Sequence, residues 1–284
     1  MSTKIAVVYF SGTDVTRLIA DRMAETLTNL GCTVKTFDIT PHKARLALFP
    51  THAFDGFLFG FPVYADFAPT PVHDWLANLQ GQGKRCAQFL TYGARTAGYG
   101  HFHTKQLLER AGFEVLFSAE FLGRHTYNVG GWQILPDRPD ETDFSVARAF
   151  AALAQERFTM EDPPKFQLQR PFGYDQSLKA LENQKKPTER RWTQPVRVTE
   201  TCSMCRLCER DCPTQAFNAD TGLSDPAECI GCMRCLYHCP DDVLRINEGM
   251  KNAYQDFKAH FQLTEELMQA KQSKIITDPL QAAA

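Results

Sequence analysis

The chain has 284 residues, enough for about two domains at roughly 150 residues each. Its 33 acidic and 31 basic residues leave a net charge of -2, so bulk charge points to no nucleic-acid or membrane-surface partner. Hydrophobic residues make up 43%, enough for an ordinary packed core.

Met1-Ser2-Thr3-Lys4-Ile5 runs straight into an apolar segment, without the basic, apolar and small-residue layout of an export signal. The longest apolar stretch, Ala53 to Ala65, is interrupted by Asp55 and Pro62 and is too short to span a bilayer. A soluble cytoplasmic protein is expected. Lys4 to Phe10 is a continuous apolar run, the pattern of a parallel strand buried on both faces. The hydroxyl-rich loop Ser11 to Thr16 follows, and then Leu18, Ile19, Met23 and Leu27 mark one face of a helix. Thr33 to Asp38 and Gly56 to Phe61 read as the second and third strands. Pro71 to Leu79 is a helix with proline at its start. Arg85 to Tyr92 is a fourth strand that ends in the glycine-rich Tyr92 to Gly100. His103 to Ala111 is a helix closed by Gly112, Phe113 to Phe121 a fifth strand, and Glu141 to Phe158 a further helix. Cys32 and Cys86, in or beside strands, are expected to be small core residues.

Strands alternating with helices make a doubly wound parallel α/β sheet, and the switch-point rule gives the order 2-1-3-4-5. Ligands bind at the carboxyl ends of such strands. Loops 11–16, 62–70 and 92–102 lie there. A strand entering a helix through Ser11, Gly12, Thr13, Asp14, Val15 and Thr16 suits a phosphate, because free N–H groups and the helix dipole face the anion. Taken alone, the same loop also suits a plain turn with a hydroxyl cap. It lacks the lysine of a P-loop and the glycine spacing of dinucleotide folds.

Met160 to Thr199 is rich in Pro, Gln, Lys and Arg and reads as a linker with one short helix near Leu178 to Gln184. Its basic run, Lys185, Lys186, Arg190 and Arg191, is read as a solvated linker rather than a docking patch. Two copies of one pattern come next. Cys202, Cys205, Cys208 and Cys212 precede Pro213, and Cys229, Cys232, Cys235 and Cys239 precede Pro240. Each copy reads C-x2-C-x2-C-x3-C-P, the bacterial iron–sulfur run, in which the fourth cysteine ligates the other cluster. One 4Fe–4S cluster then takes Cys202, Cys205, Cys208 and Cys239, and a second takes Cys229, Cys232, Cys235 and Cys212. A zinc site would leave the third cysteine and the proline of each run unexplained, and disulfides would need an oxidising compartment. Beyond the cysteines, Met250, Tyr254, Phe257, Phe261 and Leu267 fall near one face of a helix that should pack back on the chain.

Ser11 to Thr16 resembles the flavodoxin phosphate loop, S/T-x-T-G-x-T. Asp14 stands at the family glycine and Val15 at the usual asparagine. Pro62, Val63, Tyr64 and Ala65, with Tyr92, Gly93, Ala94, Arg95, Tyr99 and Gly100, stand where flavodoxins hold the isoalloxazine ring. With the cysteine runs downstream, residues 1–248 resemble the flavodoxin–ferredoxin fusion proteins of anaerobic bacteria and archaea. That resemblance implies a flavodoxin-like FMN domain over 1–158, a linker over 159–198 and a small α+β ferredoxin-like domain over 199–248; the apolar face read above leaves a C-terminal helix and tail over 249–284. It implies two 4Fe–4S clusters and FMN rather than FAD, since the loop suits a terminal phosphate and no second nucleotide half is visible. Tyr64, Phe67, Tyr92 and Tyr99 are the candidate stacking residues, with Arg95 set to offset flavin charge. Arg124 to Tyr127 and Trp132 lie near the same edge. The function implied is electron transfer with a redox protein partner, either a ferredoxin-like donor or an acceptor enzyme. The alternatives are a flavin-dependent reductase of a small molecule, with His101, His103 and His125 as the residues to examine, and a scaffold without redox activity.

Overall fold

The computed structural model describes residues 2–183, 194–246 and 249–277. The first half runs β1 (Lys4–Tyr9), α1 (Val15–Asn29), β2 (Thr33–Asp38), β3 (Gly56–Pro62), α2 (Thr70–Ala77), β4 (Arg85–Tyr92), α3 (Gly100–Arg110), β5 (Glu114–Leu122) and α4 (Glu141–Thr159). The five strands pair in parallel in the order 2-1-3-4-5, as the alternation of elements required. Side chains of β1 point to opposite faces in turn. Ile5, Val7 and Tyr9 meet Ile19, Met23, Leu27, Phe150 and Phe158 of α1 and α4. Ala6, Val8 and Phe10 meet the layer holding Val72, Trp75 and Leu76 of α2 and Leu108 of α3. Both faces are thus covered at β1 and β3, which is why these strands read as unbroken apolar runs, whereas β2, at the sheet edge, carries none. Cys32 and Cys86 are buried in these layers.

Residues 160–183 do more than link. Phe166 is buried in the α2/α3 layer and Leu168 packs against it. Helix α5 (Tyr174–Asn183) sets Tyr174 against His103, whose Nδ1 lies 2.6 Å from the phenol oxygen. The basic run Lys185 to Arg191, and Gln184 of the expected helix, lie outside the described residues.

The cysteine region is a small α+β unit of β6 (Val196–Arg197), α6 (Leu207–Arg210), β7 (Phe217–Asn218), β8 (Leu223–Ser224), α7 (Arg234–Tyr237) and β9 (Leu244–Arg245), with the strands in the order β7-β8-β6-β9. Its internal repeat is visible in the backbone. Left-handed φ recurs at Met204 and Gly231, at Arg206 and Met233, and at Gln215 and Asp242, the same places in the two runs. For a residue with a Cβ each such turn costs about 1 kcal/mol.

A single C-terminal helix was expected. The chain instead forms α8 (Gly249–His260), α9 (Glu265–Ala270) and β10 (Lys274–Ile276). The strand pairs antiparallel with β5 and makes the sheet six-stranded. Three residues are too few for periodicity to betray a strand. Ser273 secures it by accepting from the Leu122 N–H at 2.9 Å and donating to buried Asp143. Tyr254, Phe257, Phe261 and Met268 pack on Trp132 and Ile134, so the amphipathic face is used within the chain. No helix among the described residues is long and apolar enough to cross a membrane.

Candidate functional site

At the carboxyl ends of β1, β3 and β4 lies a cleft of about 520 Å³. Loop 11–16 forms one end, Pro62 to Asp66 and Thr91 to Thr96 form the walls, and Arg124 to Tyr127 with Trp132 close a side. The remaining lining comes from the second half of the chain: Ile230 and Gly231, between two cysteines, and Phe257 and Phe261 of α8.

Loop 11–16 is shaped to take an anion. Among the described residues, no protein acceptor bonds the N–H groups of Gly12, Thr13, Asp14, Val15 or Thr16, and Asp14 makes no side-chain cap. Free N–H groups at a helix start are an anion site. Ser11 Oγ accepts from Arg17 N, which leaves its proton to donate, and Thr16 Oγ1 shares a hydrogen bond with Thr91 Oγ1 at 2.8 Å. Asp14 adopts φ 64 and turns its carboxylate to Arg17 at 3.0 Å. His238 Nε2 stands 3.4 Å from the other oxygen, an ion-pair separation rather than a hydrogen bond. Burial opposes the charge, yet His238 and Arg17 hold the Asp14 carboxyl well below its usual range. The substitution at the family glycine therefore faces away from the N–H cradle.

Tyr64 to Phe67 form a tight turn with paired backbone bonds at 2.7 and 3.2 Å and left-handed Ala65 and Asp66. Asp66 ties this turn to the next loop, receiving Tyr99 N–H at 2.8 Å and pairing with Arg95 at 2.9 Å. Arg95 lines the cleft but is already matched by that carboxylate and stacks over Phe261 at 4.3 Å. Of the expected site residues, Asp14, Ala94, Tyr99 and Gly100 do not line the cleft. Ala94 is buried with Trp132, and the Tyr99 hydroxyl donates to Phe172 O at 3.3 Å. Phe67 packs with Tyr99 and His103, away from the cavity. His101 is bonded to Ser118 and Glu120, and His103 to Tyr174, so neither histidine faces the cleft. His125 does; burial pulls it down to about 4, and its Nδ1 accepts from Tyr127 N.

The eight cysteines sort into two groups, and each fourth cysteine has crossed over. Cys202, Cys205, Cys208 and Cys239 line one small cavity. Burial pushes the Cys208 thiol up to about 11, with Cys202 and Cys205 adding to the effect. In the other group burial pushes Cys232 up to about 12, helped by Cys212 and Cys229, and raises Cys235 beside the same three thiols. The N–H groups of Glu209, Arg234 and Leu236 point at these sulfurs and favour their charged form. Among the described residues no three Cys, His, Asp or Glu side chains converge as a lone metal ion requires. The first quartet surrounds a space, which fits a multi-atom cluster.

The two halves meet at the N–H cradle itself. Arg234 donates to Ser11 O at 2.8 Å and reaches Asp38 at 3.4 Å. Arg124 donates to Thr13 O at 3.0 Å and to the Tyr237 hydroxyl at 2.7 Å. A Cβ on Gly12 would stand 2.6 Å from Cys232 O and 2.7 Å from the Tyr64 hydroxyl, so only glycine allows this approach. Arg124 was expected near this edge, but sequence reading missed Arg234, because nothing local in it marks a partner 223 positions away.

A family model for the 4Fe–4S dicluster domain matches residues 194–240. Comparison with curated proteins gives no match. Solved structures similar to the first half include a flavodoxin from the domain Archaea, at 15% identity and TM-score 0.43, covering 55% of this chain and 99% of that one. The rubredoxin oxygen:oxidoreductase of Desulfovibrio gigas is 17% identical with TM-score 0.41, over 55% of this chain and 36% of that one. A variant Fusobacterium nucleatum flavodoxin bound to flavin mononucleotide is 18% identical with TM-score 0.34, over 41% of this chain and 70% of that one. The chain thus joins a sheet of flavodoxin-like order to a region that matches the 4Fe–4S dicluster model.

Proposed function

We propose that this chain is an electron-transfer protein in which two 4Fe–4S clusters exchange electrons with FMN held in the cleft. The observation that carries the reading is the shared wall: Ile230 and Gly231, between Cys229 and Cys232, line the same cavity as the N–H cradle and the Tyr64 and Tyr92 loops. Residues that would hold one redox group are therefore in van der Waals reach of those that would hold the other. FMN supplies one- and two-electron chemistry, and each cluster supplies single electrons.

The protein's own residues do the rest. The N–H groups of 12–16, with the Ser11, Thr13 and Thr16 hydroxyls, bind the phosphate. Tyr64 and Tyr92 wall the ring, and burial raises the pKa of both phenols, so they stay protonated at neutral pH. Phe257 and Phe261 exclude water from the open side. Cys205 is exposed and Cys232 buried, so an outside redox protein, a ferredoxin-like donor or an acceptor enzyme, meets the first quartet. Electrons then pass inward to the second quartet and the cleft. We place this activity in the cytoplasm, where reducing conditions leave thiolates free for iron.

The test is anaerobic reconstitution with iron, sulfide and FMN, then denaturation to count released flavin. About one FMN and about eight irons per chain are expected. A reduced ferredoxin should bleach the flavin absorbance, and steady turnover of small acceptors should stay low. Thr13→Ala with Thr16→Ala should release FMN while iron stays. A chain that takes up iron but no FMN defeats the flavin assignment, and rapid specific turnover of a small acceptor would make it an enzyme instead.

A further inference from the structure

Arg45 follows β2 in the turn before Leu46, on the sheet domain. Its Nη1 donates to Ile39 O at 2.7 Å and Thr40 O at 2.8 Å, and its Nη2 donates to Pro213 O. All three acceptors are neutral carbonyls. Among the described residues Arg45 joins no ion pair, and Asp74 and Asp38 attract it only from beyond that range. The side chain is half-buried, and burial lowers its pKa. A buried cation without a close anion is costly. The other groups that feel its charge are Cys212 and Cys232, both of the second quartet, and Pro213 is the residue after Cys212.

The first quartet has a counterpart. Arg197 lines its cavity and donates to Ala219 O at 2.9 Å and Asp220 O at 3.2 Å, again with no carboxylate partner among the described residues. The other guanidiniums near that quartet are closed by acids, Arg206 on Glu209 at 2.8 Å and Arg245 on Asp242 at 2.7 Å. Near the second quartet Arg234 is offset by Asp38. Each quartet therefore faces one guanidinium that backbone carbonyls hold in place and, among the described residues, no carboxylate meets at ion-pair range. The difference is their origin. Arg197 belongs to the cysteine region, whereas Arg45 reaches across from the sheet domain.

We propose that Arg45 is the counter-ion of the second cluster, supplied across the interface by the sheet domain, as Arg197 serves the first from within its own region. This rests on the cluster assignment made above. Four thiolates around a cluster leave net negative charge, and each added electron increases it. A fixed cation nearby stabilises the reduced state and raises the midpoint potential. Domain docking then sets the potential of the cluster next to the cleft and leaves the outer one alone.

The experiment is an anaerobic redox titration of the iron-loaded full chain, followed by electron paramagnetic resonance so that the two clusters are read separately. Arg45→Gln should lower one midpoint and leave the other in place. Arg197→Gln should lower the other one. Arg45→Lys keeps the charge and should keep the wild-type midpoint. Arg45→Gln moving neither cluster, or both equally, overturns the proposal. So does Arg45→Lys falling as far as Arg45→Gln, since the bonds rather than the charge would then matter. If Arg45→Gln loses iron, Arg45→Lys decides alone: a retained midpoint supports the counter-ion and a fallen one refutes it. Wild-type chain that takes up no iron fails the cluster assignment itself, a separate result.

Discussion

Gly12→Ala places one methyl group at the seam between the two halves. The added Cβ would lie 2.6 Å from the Cys232 carbonyl oxygen, 2.7 Å from the Tyr64 hydroxyl and 3.3 Å from Cys232 Cβ. Comfortable contact starts near 3.5 Å, so the Cys232 backbone must retreat by about 0.9 Å. Tyr64 gives little, because its hydroxyl end is buried beside Thr126 and Cys232. Cys232 gives little, because left-handed Gly231 and Met233 fix its loop on either side. Overpacking of this kind costs about 1–3 kcal/mol. Two readouts follow. The unfolding free energy of the iron-loaded protein should fall by that amount, and the arrival of electrons at the flavin should slow because the second quartet has been pushed back. Unchanged stability together with an unchanged rate would show that Gly12 and Cys232 are not in contact, and the shared wall would be lost with it.

Other perturbations separate the parts of the molecule. Cys239→Ser should damage the cluster of Cys202, Cys205 and Cys208, and Cys212→Ser that of Cys229, Cys232 and Cys235; paramagnetic spectra that lose the cluster of the mutated run instead would refute the crossover. Trp132 is fully buried among Ala94, Ile134 and α8, so Trp132→Ala should cost about 3–5 kcal/mol in urea unfolding and leave the iron count unchanged. Burial, with His73 and Arg110 nearby, pulls His103 down to about 3 from its ordinary 6.5. The unfolded chain therefore takes the proton first, so this contribution to stability is whole above about pH 6.5 and is lost as pH falls toward 3. Unfolding midpoints of wild type and His103→Gln should converge between pH 7 and pH 5; parallel curves would show that the imidazole is not held neutral.

What could be read from the sequence was what is local. The cysteine runs carry their ligand spacing within twelve residues, and both faces of the central strands β1 and β3 are buried, so their apolar runs appear uninterrupted. Loop 11–16 was legible for the same reason. Tyr99 was not, because its direction depends on Phe172 and Tyr174 in a stretch that reads as linker. Asp14 looked like a defect in a phosphate loop, since its partner His238 is distant in sequence. Trp132 and α8 showed hydrophobic faces without showing that each covers the other. Helix α8 followed its period, whereas three-residue β10 had none to follow.

Strand β10 changes the standing of the cysteine region. The chain packs on the sheet domain as far as α5 and returns to it at β5 through β10, so the iron–sulfur region is held at both ends. A unit on one flexible tether explores a volume set by the tether's length. A second attachment shrinks that volume and raises the effective concentration of one redox site at the other. The electron exchange proposed above would then need no diffusive encounter between the two halves. The edge of β5 that β10 covers is also closed to strand addition by another molecule. The same short strand both keeps the two halves together and covers the edge of β5.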